Sequence, residues 1–277
     1  MYSATITENK TDTICNEYIL CILAHTTDRG NTAMISLRLG KLGSGKSLTA
    51  VRELAINESH RITYTNIRTK LKNCVFIRPE MILRKEQVGQ KKTGEPIYEY
   101  KLNMDFWEKL PKPINIYLDE VENFYRNRDF ASTKNKLISK WVSMLRRVLG
   151  SNDAGYGQMV SISQRPNIDI DLRELATSVY YHIAHYTKIC KHCGWSWHES
   201  SDEPEMQMIC PRCHDYRIYK NPKSMYILVY KFTDVPSFEM WKSMGMKTYY
   251  RCQKINDVWM YMDLYNTESW QQTFDNY

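Results

Sequence analysis

Residues 40–47 read Gly-Lys-Leu-Gly-Ser-Gly-Lys-Ser and satisfy the spacing G-x-x-x-x-G-K-[ST] in full. Each residue type in that run has a chemical reason. Gly40, Gly43 and Gly45, with Ser44 among them, let successive backbone N–H groups curl around phosphate oxygens. A helix opening near Leu48 and continuing to about Ala55 would add the positive end of its dipole. Lys46 is expected on the β- and γ-phosphates of ATP, and Ser47 on Mg²⁺. Ile35, Leu37 and Leu39 supply an apolar strand directly upstream. That strand–loop–helix context separates a phosphate cradle from a chance glycine-rich turn.

A phosphate loop gives binding; hydrolysis needs more. Residues 113–120, PINIYLDE, carry an apolar strand pattern (Ile114, Ile116, Tyr117, Leu118) that ends in two acids. Asp119 is expected to hold Mg²⁺ through water, and Glu120 to orient or deprotonate the attacking water. The bland alternative is an edge strand ending in a solvated turn. The acid pair points to hydrolysing motors rather than kinases. A third strand over residues 159–163 ends in Gln164-Arg165-Pro166. Gln164 is the candidate γ-phosphate sensor, against a role confined to the turn that Pro166 holds extended. Ring-forming motors complete each site with an arginine from the neighbouring subunit. Arg146, Arg147 and Arg173 all follow the acid-pair strand and stand as equal candidates.

A second constellation is metal-like. Cys190-x-x-Cys193 and Cys210-x-x-Cys213 are separated by sixteen residues, a zinc-ribbon spacing. Four thiolates would close a tetrahedral shell around Zn²⁺ and leave no open position, so the ion is expected to be structural. His192, His198 and His214 are substitutes that the two cysteine pairs make unnecessary. Between Cys190 and Cys213 the side chains include Lys191 and Arg212 against Glu199, Asp202, Glu203 and Glu205. That count predicts an acidic tip, a poor phosphate binder, and favours a protein-contact or stabilising role. Trp195 and Trp197 alternate as if sharing one face of a short hairpin.

Taken in order, these residues resemble the zonular occludens toxin-like family, the assembly ATPases of filamentous phages, and more distantly the HerA/FtsK group of DNA-pumping ATPases. The resemblance is carried by GKLGSGKSLTAVREL at residues 40–54, YTNI at 64–67, IYLDEVENFY at 116–125, SQRPNIDIDLREL at 163–175 and LYNTE at 264–268. It implies an α/β, RecA-like P-loop NTPase, a mostly parallel sheet flanked by helices, which the zinc ribbon read from the cysteine spacing interrupts as a small insertion, a departure from the family's pattern. It also implies ATP hydrolysis, a homo-oligomer of hexameric type, and DNA moved for a virus. Met34 then becomes a candidate start, because family members begin almost at the first strand. Filamentous-phage members carry a membrane-spanning helix after the ATPase domain, whereas no run here approaches the required length. That departure favours a motor in the host cytoplasm, or at the membrane periphery through virion or membrane assembly proteins, over an anchored one.

The elements that must position these groups fit the length. A chain of 277 residues, 43% hydrophobic and 25% charged, holds one large domain plus a small module. The expected division is an extension over 1–33, an ATPase core over 34–187, the zinc ribbon over 188–218 and completing strands and helix over 219–277. The short apolar run at residues 18–24 follows Asp12 and Glu17 rather than a basic leader, so it makes a poor signal peptide. The formal net charge of +7 is uneven. Residues 61–92 hold nine basic side chains against Glu80 and Glu86, and 126–147 hold seven against Asp129. The second block includes a predicted helix over 132–149, with Leu137, Trp141, Leu145 and Val148 on one stripe and Lys136, Lys140, Ser143 and Arg147 on another. A charge run is usually a solvated face; two such blocks beside the acid-pair strand make a DNA-facing surface the competing expectation. The rival from another class is a non-motor nucleotide switch or scaffold that recruits replication or transcription partners through the ribbon.

Overall fold

The computed structural model describes residues 34–57, 61–121, 133–153, 155–164, 170–203 and 208–264. The proposed extension over 1–33, Arg165, Pro166, Glu205 and residues 265–268 lie outside them.

Strand β1, Met34–Leu39, is buried on both faces. Ile35, Leu37 and Leu39 enter one apolar cluster, while Ser36 and Arg38 are covered on the opposite side. A strand buried on both faces belongs at the centre of a parallel sheet, and β1 does sit there. In chain order the remaining strands are β2 (Thr63–Thr65), β3 (Cys74–Phe76), β4 (Leu83–Gln90), β5 (Pro96–Leu102), β6 (Asn115–Leu118), β7 (Ser151–Asn152), β8 (Gly155–Tyr156), β9 (Gln158–Ser163), β10 (Ser178–Cys190), β11 (Ser196–Ser200), β12 (Ile218–Phe232) and β13 (Arg251–Ile255). The main sheet runs β13-β12-β10-β1-β9-β6-β2-β3, with β11 added on β10. From β10 to β3 neighbouring strands are parallel; β11, β12 and β13 join antiparallel.

Helix α1, Lys46–Ile56, covers one face of this sheet because Ala50, Val51 and Leu54 recur at helical spacing and meet Tyr117, Val160 and Ile162. Arg38 is paired through the sheet surface with Glu53 of α1. On the other face Ile116, Leu118 and Met159 pack with Trp107 and Trp141, whose rings are 5.5 Å apart.

The helix expected over 132–149 is divided. It runs as α4 (Thr133–Ser143) and α5 (Leu145–Leu149) after two earlier short helices, α2 (Pro79–Ile82) and α3 (Met104–Glu108). At Met144 the backbone tightens: its N–H donates to Trp141, and the Arg147 N–H donates back to Met144. Trp141, Leu145 and Val148 remain buried, so the apolar stripe survives the break. Gly150, with φ of 65°, ends α5 as the sequence predicts. Two more helices follow, α6 (Ile170–Leu175) and α7 (Val235–Met244), and a 3-10 turn over Val258–Leu264 packs beside α1.

The basic run over 61–92 is partly balanced in space. Part of it forms the β4–β5 hairpin, in which Arg84 and Lys101 both reach Glu86 while Lys91 pairs with Glu95.

Candidate nucleotide site and cysteine centre

Three parallel strands bring the nucleotide motifs to one edge. Leu39 lies opposite Ser163 across the β1–β9 ladder, and Leu118 lies opposite Ser161 across β6–β9. The phosphate loop, Gln164 and the Asp119–Glu120 pair therefore leave the same carboxyl end of the sheet. The outer two are separated by two strand spacings, about 10 Å. Gln164, between them, is exposed.

Residues 40–45 form a close-fitting loop. Gly40 has φ of 152°, and a Cβ placed there would come within 2.5 Å of Ser44 Oγ and 2.6 Å of the His182 carbonyl oxygen. Gly45, with φ of 82°, precedes α1, and its Cβ would meet Ile227 Cδ1 at 2.2 Å. The Lys46 ammonium folds back over the loop, donating to Gly40 O at 2.8 Å and Lys41 O at 3.0 Å. Ser44 and Lys46 are buried, Ser47 half-buried, and Leu48 packs inward against Ala184 and Ile227. Behind the loop His182 is held neutral: burial pushes its pKa well down, and the Arg38 and Lys46 cations push it further. A loop in which Gly40 and Gly45 have no space for a Cβ, with a buried lysine above it, has the form and sign of a phosphate cradle.

Asp119 and Glu120 are both half-buried. Asn66, just past β2, clamps the first of them from both sides. Its amide donates to Asp119 O at 2.8 Å, and its Oδ1 accepts from the Asp119 N–H at 2.7 Å. The Asp119 carboxylate accepts from the Glu120 N–H at 2.9 Å. Glu120 has φ of 48°, a left-handed conformation that costs a non-glycine residue on the order of 1 kcal/mol. Asn66 carried no role in the sequence reading. Its signals were its place in the YTNI segment that carries the family resemblance and its position at the tip of a strand that proves to neighbour β6.

The three arginine candidates separate. Arg147 pairs with Glu108 at 2.6 Å and Arg173 with Glu239 at 2.5 Å. Arg146 is exposed and makes no ion pair among the described residues.

The four cysteines converge at the far end of β10 and β12. Their sulfurs all lie within 4.8 Å of one another, with Cys190 Sγ 3.5 Å from Cys213 Sγ and Cys193 Sγ 3.7 Å from Cys210 Sγ. These distances exclude disulfides, which need about 2.05 Å. They match the roughly 3.8 Å sulfur–sulfur edge of a tetrahedron with Zn–S bonds of about 2.3 Å.

The structure takes two of the four counted acids out of the tip, while Glu203 is exposed and Glu205 lies outside the described residues. Glu199 is buried at the base of the knob, bound to Lys188 Nζ at 2.7 Å and accepting from the Tyr186 hydroxyl at 2.8 Å. Asp202 lies further back, where it meets Lys242 at 3.1 Å and the Tyr181 hydroxyl at 2.7 Å. β11 carries these acids away from the cysteines. It occupies the edge of β10 that β1 vacates: Leu39 faces Tyr181, and Ser200 faces His185. The returning chain thus reaches the phosphate loop, where Lys41 Nζ donates to Asp202 O at 2.8 Å. The two tryptophans also part: Trp197 is half-buried within β11, while Trp195 precedes it in the exposed tip.

The site and sheet define an α/β protein of the phosphate-loop NTPase class. The sequence pattern described as Zonular occludens toxin (Zot) matches residues 34–209, more than half of the chain, and the protein belongs to that family. No curated protein sequence matches it. Among solved structures, the N-terminal domain of zonular occludens toxin from Neisseria meningitidis is similar at 16% identity and a TM-score of 0.43, covering 85% of this chain and 100% of that one. The DNA-packaging ATPase B204 of Sulfolobus Turreted Icosahedral Virus is similar at 13% identity and a TM-score of 0.37, over 82% of this chain and 98% of that one. Among the described residues no helix is long and apolar enough to cross a membrane.

Proposed function

We propose that this chain is the ATP-hydrolysing motor of a virus or mobile element, working as a homo-oligomer, of hexameric type, that moves DNA during virion assembly. The observation that carries the reading is the alignment of β1, β9 and β6, whose ends set the phosphate loop, Gln164 and the Asp119–Glu120 pair side by side. Bound ATP with Mg²⁺ would supply the transferable phosphoryl group and a cation that offsets its developing charge. Gly40, Gly43, Ser44, Gly45 and Leu48 shape the loop and helix start around the phosphates. Lys46 exchanges its bonds to loop carbonyls for phosphate oxygens, and Ser47 with Asp119 holds Mg²⁺. Asn66 fixes the backbone of Asp119, Glu120 takes the proton of the attacking water, and Gln164 reads the γ-phosphate. The four cysteines hold structural Zn²⁺ as thiolates, which requires a reducing compartment such as a host cytoplasm. In this reading residues 34–187 and 219–277 make the ATPase core, 188–218 the zinc knob and 1–33 an extension.

The test is ATP turnover with and without DNA. Wild type should hydrolyse ATP several-fold faster with DNA, and the gain should fade as salt rises. Lys46→Ala should lose nucleotide binding, whereas Glu120→Gln should bind ATP and not turn it over. Normal hydrolysis by Glu120→Gln would remove that residue from its role. Turnover indifferent to DNA would favour a nucleotide switch instead.

A further inference from the structure

Of the acids that the sequence places in the knob, Glu199 and Asp202 are engaged elsewhere, Glu203 is exposed past the end of β11 and Glu205 lies outside the described residues; what remains at the tip has a different character. Trp195, Tyr216 and Tyr219 are 44%, 80% and 45% exposed, high values for aromatic rings on so small a module. Lys191 and Arg212 are exposed on the same turns and form no ion pair among the described residues, whereas the Lys220 ammonium lies over the Tyr186 ring at 4.2 Å. Arg212 lies over the Trp195 ring at 5.4 Å, and Lys223 over the part-exposed Trp259 ring at 5.8 Å. Asp215, at the tip, is neutralised by Arg217 at 2.7 Å.

The tip brings these groups close together. The Cys190 N–H donates to Trp195 O, Ile189 pairs with Tyr219, and the Lys191 N–H donates to Arg217 O beside Tyr216. Trp195, Lys191 and Tyr219 thus lie on three adjacent segments, within about 10 Å. Exposed rings interleaved with unpaired cations are the chemistry of a single-stranded nucleic-acid surface, where bases stack on rings and phosphates meet lysine and arginine. Duplex DNA would offer the rings no free base faces.

We propose that the zinc knob, with the adjoining Tyr219, grips single-stranded nucleic acid, with Trp195, Tyr216 and Tyr219 as stacking platforms and Lys191 and Arg212 as phosphate contacts. The proposal rests on the DNA-handling reading for its choice of polyanion. The grip lies at the far end of β10 and β12, and the chain leaving β11 at the base of the knob is tied to Lys41 of the phosphate loop.

The experiment measures binding of the full chain to a fluorescent oligothymidylate, to the matching duplex and to heparin across a salt series, with ATP turnover recorded in parallel. Wild type should prefer the single strand over both competitors. Trp195→Ala with Tyr216→Ala should weaken oligothymidylate binding at least tenfold, with basal turnover and one zinc per chain retained. Arg212→Gln with Lys191→Gln should lower the salt slope by between one and two. Unchanged affinity in the zinc-loaded aromatic variant overturns the proposal, as does equal binding of heparin, which marks a mere cationic patch. If that variant keeps both its affinity and DNA-stimulated turnover, the knob proposal fails while the motor reading stands. If oligothymidylate binds through the knob but turnover never responds, the motor reading fails and the grip remains.

Discussion

Gly43 and Gly45 have similar left-handed backbones, with φ of 76° and 82°, but different surroundings. A Cβ on Gly43 meets nothing within 4 Å, whereas one on Gly45 enters the space of buried Ile227. Gly43→Ala should therefore cost only the backbone term, about 1–2 kcal/mol. Gly45→Ala should cost more and also move the start of α1, lowering ATP affinity at least tenfold. Denaturant midpoints and nucleotide titration of the two variants check this, and equal effects would contradict it. Residue chemistry of this local kind was legible in advance: the loop, the acid pair and the cysteine spacing were all read from the chain. Asn66 was not, because its role depends on β2 lying next to β6, and no spacing along the sequence states that neighbourhood.

At the scale of elements, the long β10–β12 pair does two jobs. Near its base Ile227 and His182 wall the phosphate loop; at its far end the same strands carry the cysteines. The knob has little apolar interior, with Cys190 and Cys210 among its few buried side chains, so the metal should supply most of its stability. Removing zinc with a chelator, or substituting Cys210→Ser, should unfold the knob while the main sheet persists. The expected record is a shift in tryptophan fluorescence with most of the far-UV circular dichroism retained. A chain purified with less than one zinc and an ordered knob would contradict the assignment. The divided helix over 133–149 shows a limit of reading by periodicity. The apolar stripe was correct, but a single tightened turn at Met144 leaves that stripe in place and so leaves no trace in the pattern.

For the molecule as a whole, the proposed motor's choice among the three candidate arginines becomes a matter of availability. Arg147 and Arg173 are each held by a carboxylate of their own chain, while Arg146 is exposed and unpaired among the described residues. Arg146→Ala should bind ATP normally and lose turnover by about a thousandfold or more, within the range such fingers contribute. Mixing it with Lys46→Ala, which keeps the arginine but lacks the site, should restore part of the activity. No recovery on mixing, or full activity of Arg146→Ala alone, would remove it from that role. The same whole-molecule view alters the charge map. The basic hairpin β4–β5 is partly self-neutralised, while the knob, acidic by sequence count, presents cations and aromatic rings.

The sequence alone determined the groups whose chemistry follows from short spacing: a loop that can wrap phosphate, a strand ending in two acids and four cysteines around one centre. These depend on residues close along the chain, where backbone geometry fixes distance. Only the tertiary structure decided which strand tips meet, which arginine remains available and what sign the knob presents. Electrostatic compensation acts through space. Glu199 is cancelled by Lys188 and Asp202 by Lys242, pairs made by strand register and by the packing of α7, so a window along the sequence assigns their charge to the wrong surface.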